Sequence, residues 1–179
     1  MYPTWYIALK KFGPFSGPSW NEYLAWAKLP QLEEVVSLDT ILCPSVLGEL
    51  TREDWLHNVQ EDFMIQFFWD LNYLLGRLAG VQTVNVLAAQ REPDPASVAA
   101  LRDERFAFQG FDLVERPGLG VSALVNCGGF EKAFSPTVVN RVGLLPVYDL
   151  ARAVQQRLRD NYPDERHTDC CLWALWKMI

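Results

Sequence analysis

The closing stretch Thr168 to Ile179, TDCCLWALWKMI, limits the fold more than any other part of the chain. Read as a strand, it turns Cys170, Leu172, Ala174 and Trp176 one way and Cys171, Trp173 and Leu175 the other. Both sets are apolar. A strand apolar on both faces belongs in the interior of a sheet, with neighbours at either side and protein layered over both faces. The rest of the chain has to supply those neighbours and those layers.

Three other stretches read as strands. Thr4 to Lys10, TWYIALK, is aromatic and β-branched, and Gln82 to Gln90, QTVNVLAAQ, is similar. Phe106 to Phe130 reads as a hairpin followed by a glycine-rich exit. Pro117 and Gly118 suit the two central positions of its turn. Phe106 and Phe108 share one parity, whereas Phe111 and Leu113 have the other, so a bulge at Gly110 is expected to reconcile the halves. On the second arm Val121, Ala123, Val125 and Cys127 share a face. Asp112 and Asn126 are expected to satisfy backbone groups at the strand ends.

Helix signals lie between these strands. Ser19 to Glu22 has the form of a capping box, and Pro30 would stop the helix it opens. Leu32 to Leu50 is expected to wrap around the domain with a short helix at most. Thr51 to Gly80 reads as one long helix with Leu56, Val59, Phe63, Phe67, Leu71, Leu74 and Leu78 on its buried face. Trp55, Met64, Phe68, Trp69 and Leu75 widen that stripe, which assigns it to core. Asp94-Pro95 opens a short helix, and Ser135-Pro136 opens a helical turn. The last helix begins at Pro146, buries Val147, Leu150, Val154, Leu158 and Tyr162, and ends at Pro163. With no repeating βα unit, the expected fold class is α+β. We expect a single domain over 1–179, with a mostly antiparallel sheet of about five strands and the long helix packed against it.

Charge narrows the function. The net charge is −6 and the pI about 4.9, which disfavours nucleic acid and anionic membrane surfaces as partners. The N-terminus lacks the pattern of a signal peptide, and no apolar run is long enough for a bilayer. Cys43, Cys127, Cys170 and Cys171 are few and poorly placed for disulfides, so a reducing, cytoplasmic setting is expected.

Candidate chemistry is sparse. Cys127, in Asn-Cys-Gly-Gly, has the setting of a nucleophile, but its base would have to be His57 or His167. His167, Asp169 and Cys171 would share a strand face and, with Cys43 or His57, are metal-capable, although they lack the paired spacing of a zinc site. Gly118-Leu119-Gly120 is not a phosphate loop, and there is no nucleophile elbow. The expectation is therefore no catalytic, cofactor or metal residues. Acidic groups remain: Glu53, Asp54, Glu61 and Asp62 on the long helix, and Asp160, Asp164, Glu165 and Asp169 near the C-terminus. Of these, Glu53, Asp54, Glu61, Asp62, Asp164 and Glu165 form the expected docking surface for a basic protein.

Two segments carry a resemblance. Gly110-Phe111-Asp112, then Ser122-Ala123-Leu124-Val125-Asn126-Cys127-Gly128-Gly129, resembles a pattern in a group of small uncharacterised bacterial proteins. Tyr162 to Cys170, followed by Leu172 to Trp176, is similar to the tail of the same group. Some of its members are presumed immunity partners of polymorphic toxins. The resemblance implies a binding protein that neutralises a cognate protein toxin, and it carries over no catalytic residues. The rival expectations are a thiol-dependent enzyme using Cys127 and a homo-oligomeric subunit with Trp20 and Trp26 at an interface.

Overall fold

A computed structural model describes residues 3–39, 42–44, 46–62, 65–101, 103–116, 120–126 and 130–179. Its strands are β1 (Trp5–Lys10), β2 (Asn58–Asp62), β3 (Ile65–Phe68), β4 (Val84–Arg91), β5 (Phe106–Glu115) and β6 (Cys170–Met178). They form one six-stranded sheet in the order β2-β3-β1-β4-β6-β5. Every pairing is antiparallel. The closing strand β6 lies between β4 and β5 and is buried from Cys170 to Trp176, as its two apolar faces require. On one face Trp173 stacks on Phe67 at 5.0 Å and leans on Trp5 at 5.8 Å, which ties β6 to β3 and β1 across the sheet.

The helices are α1 (Pro18–Ala27), α2 (Arg52–His57), α3 (Leu71–Arg77), α4 (Pro95–Ala100) and α5 (Tyr148–Asn161). The long helix that packs on the sheet is α5, which lies against β5 and β6 and buries Ala151, Val154, Gln155 and Leu158. Val147, expected on its buried face, is exposed and sits at the N-cap. Asp94 caps α4, accepting from Ser97 N–H, and Pro136 opens a 3-10 turn after Ser135. Helix α1 starts at Pro18 with Gly17 as its cap, because Ser19 points its hydroxyl back at Ser16 O instead.

Thr51 to Gly80 is not one helix. It divides into α2, β2, β3 and α3. The apolar spacing of four that suggested a helix from Leu71 back to Phe63 is also two strand periods, so it fits either element. Two local signals break the helix. Asn58 takes an extended backbone at the end of α2, and Asp70 caps α3 by accepting from Asn72 and Tyr73 N–H. Phe63 and Met64 lie outside the described residues.

The expected hairpin is also revised. Its first arm is β5, with the register shift between Phe108 and Gly110 where a bulge was expected. Gly110 has φ 139°, and a Cβ there would lie 2.8 Å from Leu145 O. Its second arm is a single bridge, Val114 to Ser122, followed by a turn through 123–126. Asp112 and its hydroxyl partners hold this segment in place of a continuous ladder. The turn at Pro117 and Gly118 lies outside the described residues.

Candidate functional site

The two ends of the sheet are finished differently. The outer edge of β5 is covered by the chain itself. Phe111 exchanges hydrogen bonds with Leu145, Ala123 N–H donates to Leu113 O at 2.8 Å, and Glu115 N–H donates to Val121 O at 2.8 Å. Alternate residues of the strand are thus satisfied on that side. At the other end β2 terminates the sheet, and no further strand pairs with its outer edge among the described residues.

The β5 end is pinned by a buried carboxylate. Asp112 has no exposed surface. Its Oδ2 accepts from Ser37 Oγ at 2.6 Å and Leu38 N–H at 3.1 Å, and its Oδ1 from Ser122 Oγ at 2.6 Å and Leu113 N–H at 2.9 Å. Asp39, also buried, accepts from Ser122 N–H and Leu42 N–H. Burial and the neighbouring Asp39 push Asp112 above the usual carboxylate range, against the pull of its donors. Cys43, raised by burial and by Asp39, points its sulfur at Val35 O. The cluster binds the segment after α1 to β5 and to the bridge at Ser122, which is structural work.

The β2 end is different. Thr51 and Asp54 form a reciprocal capping box at the start of α2. The other oxygen of Asp54 takes Tyr73 OH and Arg77 Nε, both at 2.8 Å, so α2 is tied to α3. Burial raises Asp54, but the hydrogen bonds from Thr51 and Tyr73 and the Arg77 charge outweigh it and hold the carboxyl at about 2. His57 stacks on Tyr73 with centroids 3.9 Å apart. At this junction His57 Nδ1 and Asn58 Oδ1 are buried without a hydrogen-bond partner among the described residues.

Around this tie the surface is apolar. Trp55 and Leu56 on α2 are 52% and 69% exposed, and Trp69, at the end of β3, is 53% exposed. The register sets Trp69 beside the end of α2, because Asn58 pairs with Phe68 and so His57 and Trp69 stand side by side. Helical spacing had placed all three in the core stripe. They were misassigned because the helix they belonged to does not exist. Glu49, Glu53 and Asp70 are exposed at the same corner.

The acidic candidates therefore separate. Glu53 is exposed. Asp54 is buried and fully engaged, so it is a structural residue and not a docking one. Glu61 and Asp62 lie on β2, with side chains outside the described residues. Asp164 and Glu165 are exposed on the rim of a cleft of about 490 Å3 that Arg116, Arg159 and Arg166 also line. Those guanidinium groups offset the carboxylates, so this second region is of mixed charge.

The thiol candidates separate as well. Cys127 lies outside the described residues. His57 belongs to the β2 end, whereas the residues leading to Cys127 lie along β5; five strand spacings put these on the order of 20 Å apart. His167 is nearer that end, with Nδ1 2.9 Å from Oε2 of the buried Glu115, whose other oxygen meets Arg166 Nε at 2.7 Å. His167 and Asp169 stand in and after a 3-10 turn, ahead of β6, so they do not share a strand face with Cys171. Cys171 Sγ instead accepts from Arg116 Nε at 3.0 Å and Arg91 Nε at 3.3 Å. Burial pushes the neighbouring Cys170 thiol up to about 12, which removes it as a nucleophile near neutral pH. Trp20, offered as an interface residue, is buried against Phe12 and Tyr23, while Trp26 is exposed.

Among the described residues no helix is long and apolar enough to cross a membrane. No protein-family model matches the chain, and comparison with curated proteins and with solved structures finds no match.

Proposed function

We propose that this chain is a binding protein that acts by direct contact with another protein, as an immunity protein that neutralises a cognate bacterial toxin by covering it. The observation that supports this reading is the corner at the β2 end. Trp55 and Leu56 on α2, and Trp69 beside the end of that helix, all expose large apolar surfaces, and exposed apolar groups of this size mark contact sites. Tryptophan is enriched among the residues that dominate binding energy. Glu49, Glu53 and Asp70 surround it, and the chain as a whole is acidic. That combination suits a basic protein partner, which negative charge would also steer into contact.

The test is co-purification with the product of the adjacent gene, made in the same cell. A stoichiometric complex that relieves the toxicity of that product supports the proposal. Toxicity unchanged by the chain, together with separate elution of the two proteins, overturns it.

A second reading, a thiol-dependent enzyme using Cys127, has one observation in its favour. The buried Glu115 orients the His167 imidazole in the manner that a carboxylate orients a catalytic base. Alkylation of the native protein near pH 7, mapped by mass spectrometry, tests it. Selective labelling of Cys127 within minutes favours the enzyme; a Cys127 that labels only after unfolding removes it.

A further inference from the structure

We infer that the cleft lined by Arg116, Arg159 and Arg166 binds a phosphate monoester of a small polyhydroxylated molecule, a sugar phosphate in chemical class. The site lies at the β5–β6 end of the sheet, away from the exposed corner, and does not depend on the binding reading above.

Three observations carry it. The first is convergence. Arg116 follows β5, Arg159 lies in the last turn of α5, and Arg166 opens the 3-10 turn before β6. Each is anchored along one edge to a buried residue. Arg116 Nε donates to Cys171 Sγ at 3.0 Å, Arg159 Nη2 donates to Cys170 O at 3.2 Å, and Arg166 Nε ion-pairs with Glu115 Oε1 at 2.7 Å. Glu115 stands opposite Cys170 in the sheet register, so the three anchors are immediate neighbours. Among the described residues the other guanidinium N–H groups of these arginines make no hydrogen bond. Glu92 is 3.7 Å from Arg116, and Asp169 is 4.0 Å from Arg159. All three arginines line one cleft with donors to spare.

The second observation is that the wall is held in place. Thr168, also on the cleft, is buried and sets its hydroxyl against Tyr162 O and Glu165 O. Glu165 N–H donates to Tyr162 O, and Thr168 N–H donates to Glu165 O. The turn that carries Asp164, Glu165 and Arg166 is therefore fixed before any ligand arrives, which spares binding the cost of ordering it.

The third is the placement of charge. The formal charges of the lining cancel, but their positions differ. Arg91, Arg116, Arg152, Arg159 and Arg166 gather where only Glu92 and Glu115 lie among them, an excess of positive charge. The balancing acids Asp164, Glu165 and Asp169 are exposed, where water screens them. A phosphate ester, with three acceptor oxygens, matches three donors that come from three elements. The exposed carboxylates then accept from hydroxyl groups on the rest of the ester. They also repel a longer anion, so a nucleic-acid backbone is excluded. At about 490 Å3 the cleft has the size of a small-molecule site, roughly 300–1,000 Å3.

The test follows the arginine Nε–H signals of the intact chain by NMR during titration. The probes are ribose 5-phosphate, inorganic phosphate, ribose and a phosphoserine hexapeptide. Ribose 5-phosphate should shift the Arg116, Arg159 and Arg166 signals saturably and bind at least about tenfold tighter than inorganic phosphate, with ribose inert. Arg159→Gln should weaken it by about tenfold. That variant keeps its fold, because Gln155 Nε2 still donates to Cys170 O at 2.8 Å. The Asp164→Asn/Glu165→Gln variant should weaken ribose 5-phosphate but not inorganic phosphate, a split that a merely structural role would not produce. Equal affinity for ribose 5-phosphate and inorganic phosphate would overturn the inference. So would shifts as large at Arg141, which pairs with Glu33 elsewhere, or an unchanged affinity in Arg159→Gln. Tighter binding of the phosphoserine peptide would also overturn it, by assigning the cleft to a modified protein.

Discussion

Asp112 and Asp54 are both buried aspartates at opposite ends of one sheet, and they differ in nearly everything that follows from burial. Asp112 meets only neutral donors, two hydroxyls and two backbone amides, with the second carboxylate of Asp39 close by. Asp54 meets a hydroxyl pair, a backbone amide and a guanidinium. The first carboxyl is raised and the second is lowered to about 2. The contrast follows the edges they serve. Asp112 helps to seal β5 under the chain's own covering segments, where it has no exposed surface. Asp54 braces two short helices beneath an apolar corner that nothing described covers. One end is built to be finished, and the other is built to hold its shape while open.

The largest effect should come from the sealed end. Asp112→Ala leaves Ser37 Oγ, Ser122 Oγ and two backbone N–H groups buried without an acceptor, and should cost about 4 kcal/mol by urea unfolding. A cost under about 1 kcal/mol would mean that water or a rearranged loop replaces the carboxylate, and that the two ends are less different than their contacts indicate. Gly110→Ala should come next, at about 3 kcal/mol, because a side chain there meets Leu145 O at 2.8 Å and Leu144 Cβ at 2.9 Å on a backbone with positive φ. Tolerance of alanine would show that the covering segment at Leu145 shifts easily.

The sequence disclosed these two ends unequally. Closing strand β6, the bulge at Gly110 and the caps at Asp94 and Ser135 were legible, since each rests on a local rule about faces, glycine or capping side chains. The stretch from Thr51 to Gly80 was not. Phe63, Phe67 and Leu71 recur at four, a spacing shared by helix and strand, and the breaks at Asn58 and Asp70 rest on single residues that the apolar period overrides. That one error hid the candidate site, since it put Trp55, Leu56 and Trp69 in a core stripe and Asp54 on the surface. The partners of Asp112 were illegible for another reason. Ser37 and Asp112 are far apart in the chain, and no periodicity reports a contact between distant loops.

Acid should separate the ends without mutation. Asp54 has a folded value below its unfolded 3.8, so its contribution is complete above that value and is lost as pH falls through about 2. Asp112 is raised, so its titration contributes stability at pH below 3.8 and loses it as pH rises through its folded value. Asp54→Asn should therefore cost roughly 1–2 kcal/mol near pH 6, discounted for screening of the exposed Arg77, and clearly less at pH 2, where the folded carboxyl is half protonated. Chemical denaturation at both pH values checks this. A cost independent of pH would show that Asp54 acts as a neutral cap, and the electrostatic half of the comparison would fail.

The smallest effect on stability is the most informative about function. Leu56→Ser alters a side chain that is mostly in water and should change unfolding free energy by no more than about 0.5 kcal/mol, and Trp69→Ser, at a half-exposed ring, should cost about 1 kcal/mol. A core residue of the kind these were expected to be would lose several times that on the same change. Thermal melts close to those of the parent protein, with a complex weakened by at least about tenfold, would place the value of the exposed corner in contact alone. If the two substitutions instead destabilise the fold as strongly as Gly110→Ala, the corner is packed against the chain in solution. The open end would then be as finished as the sealed one, and the binding surface would have to be sought elsewhere, beginning with the mixed-charge cleft at Asp164 and Glu165.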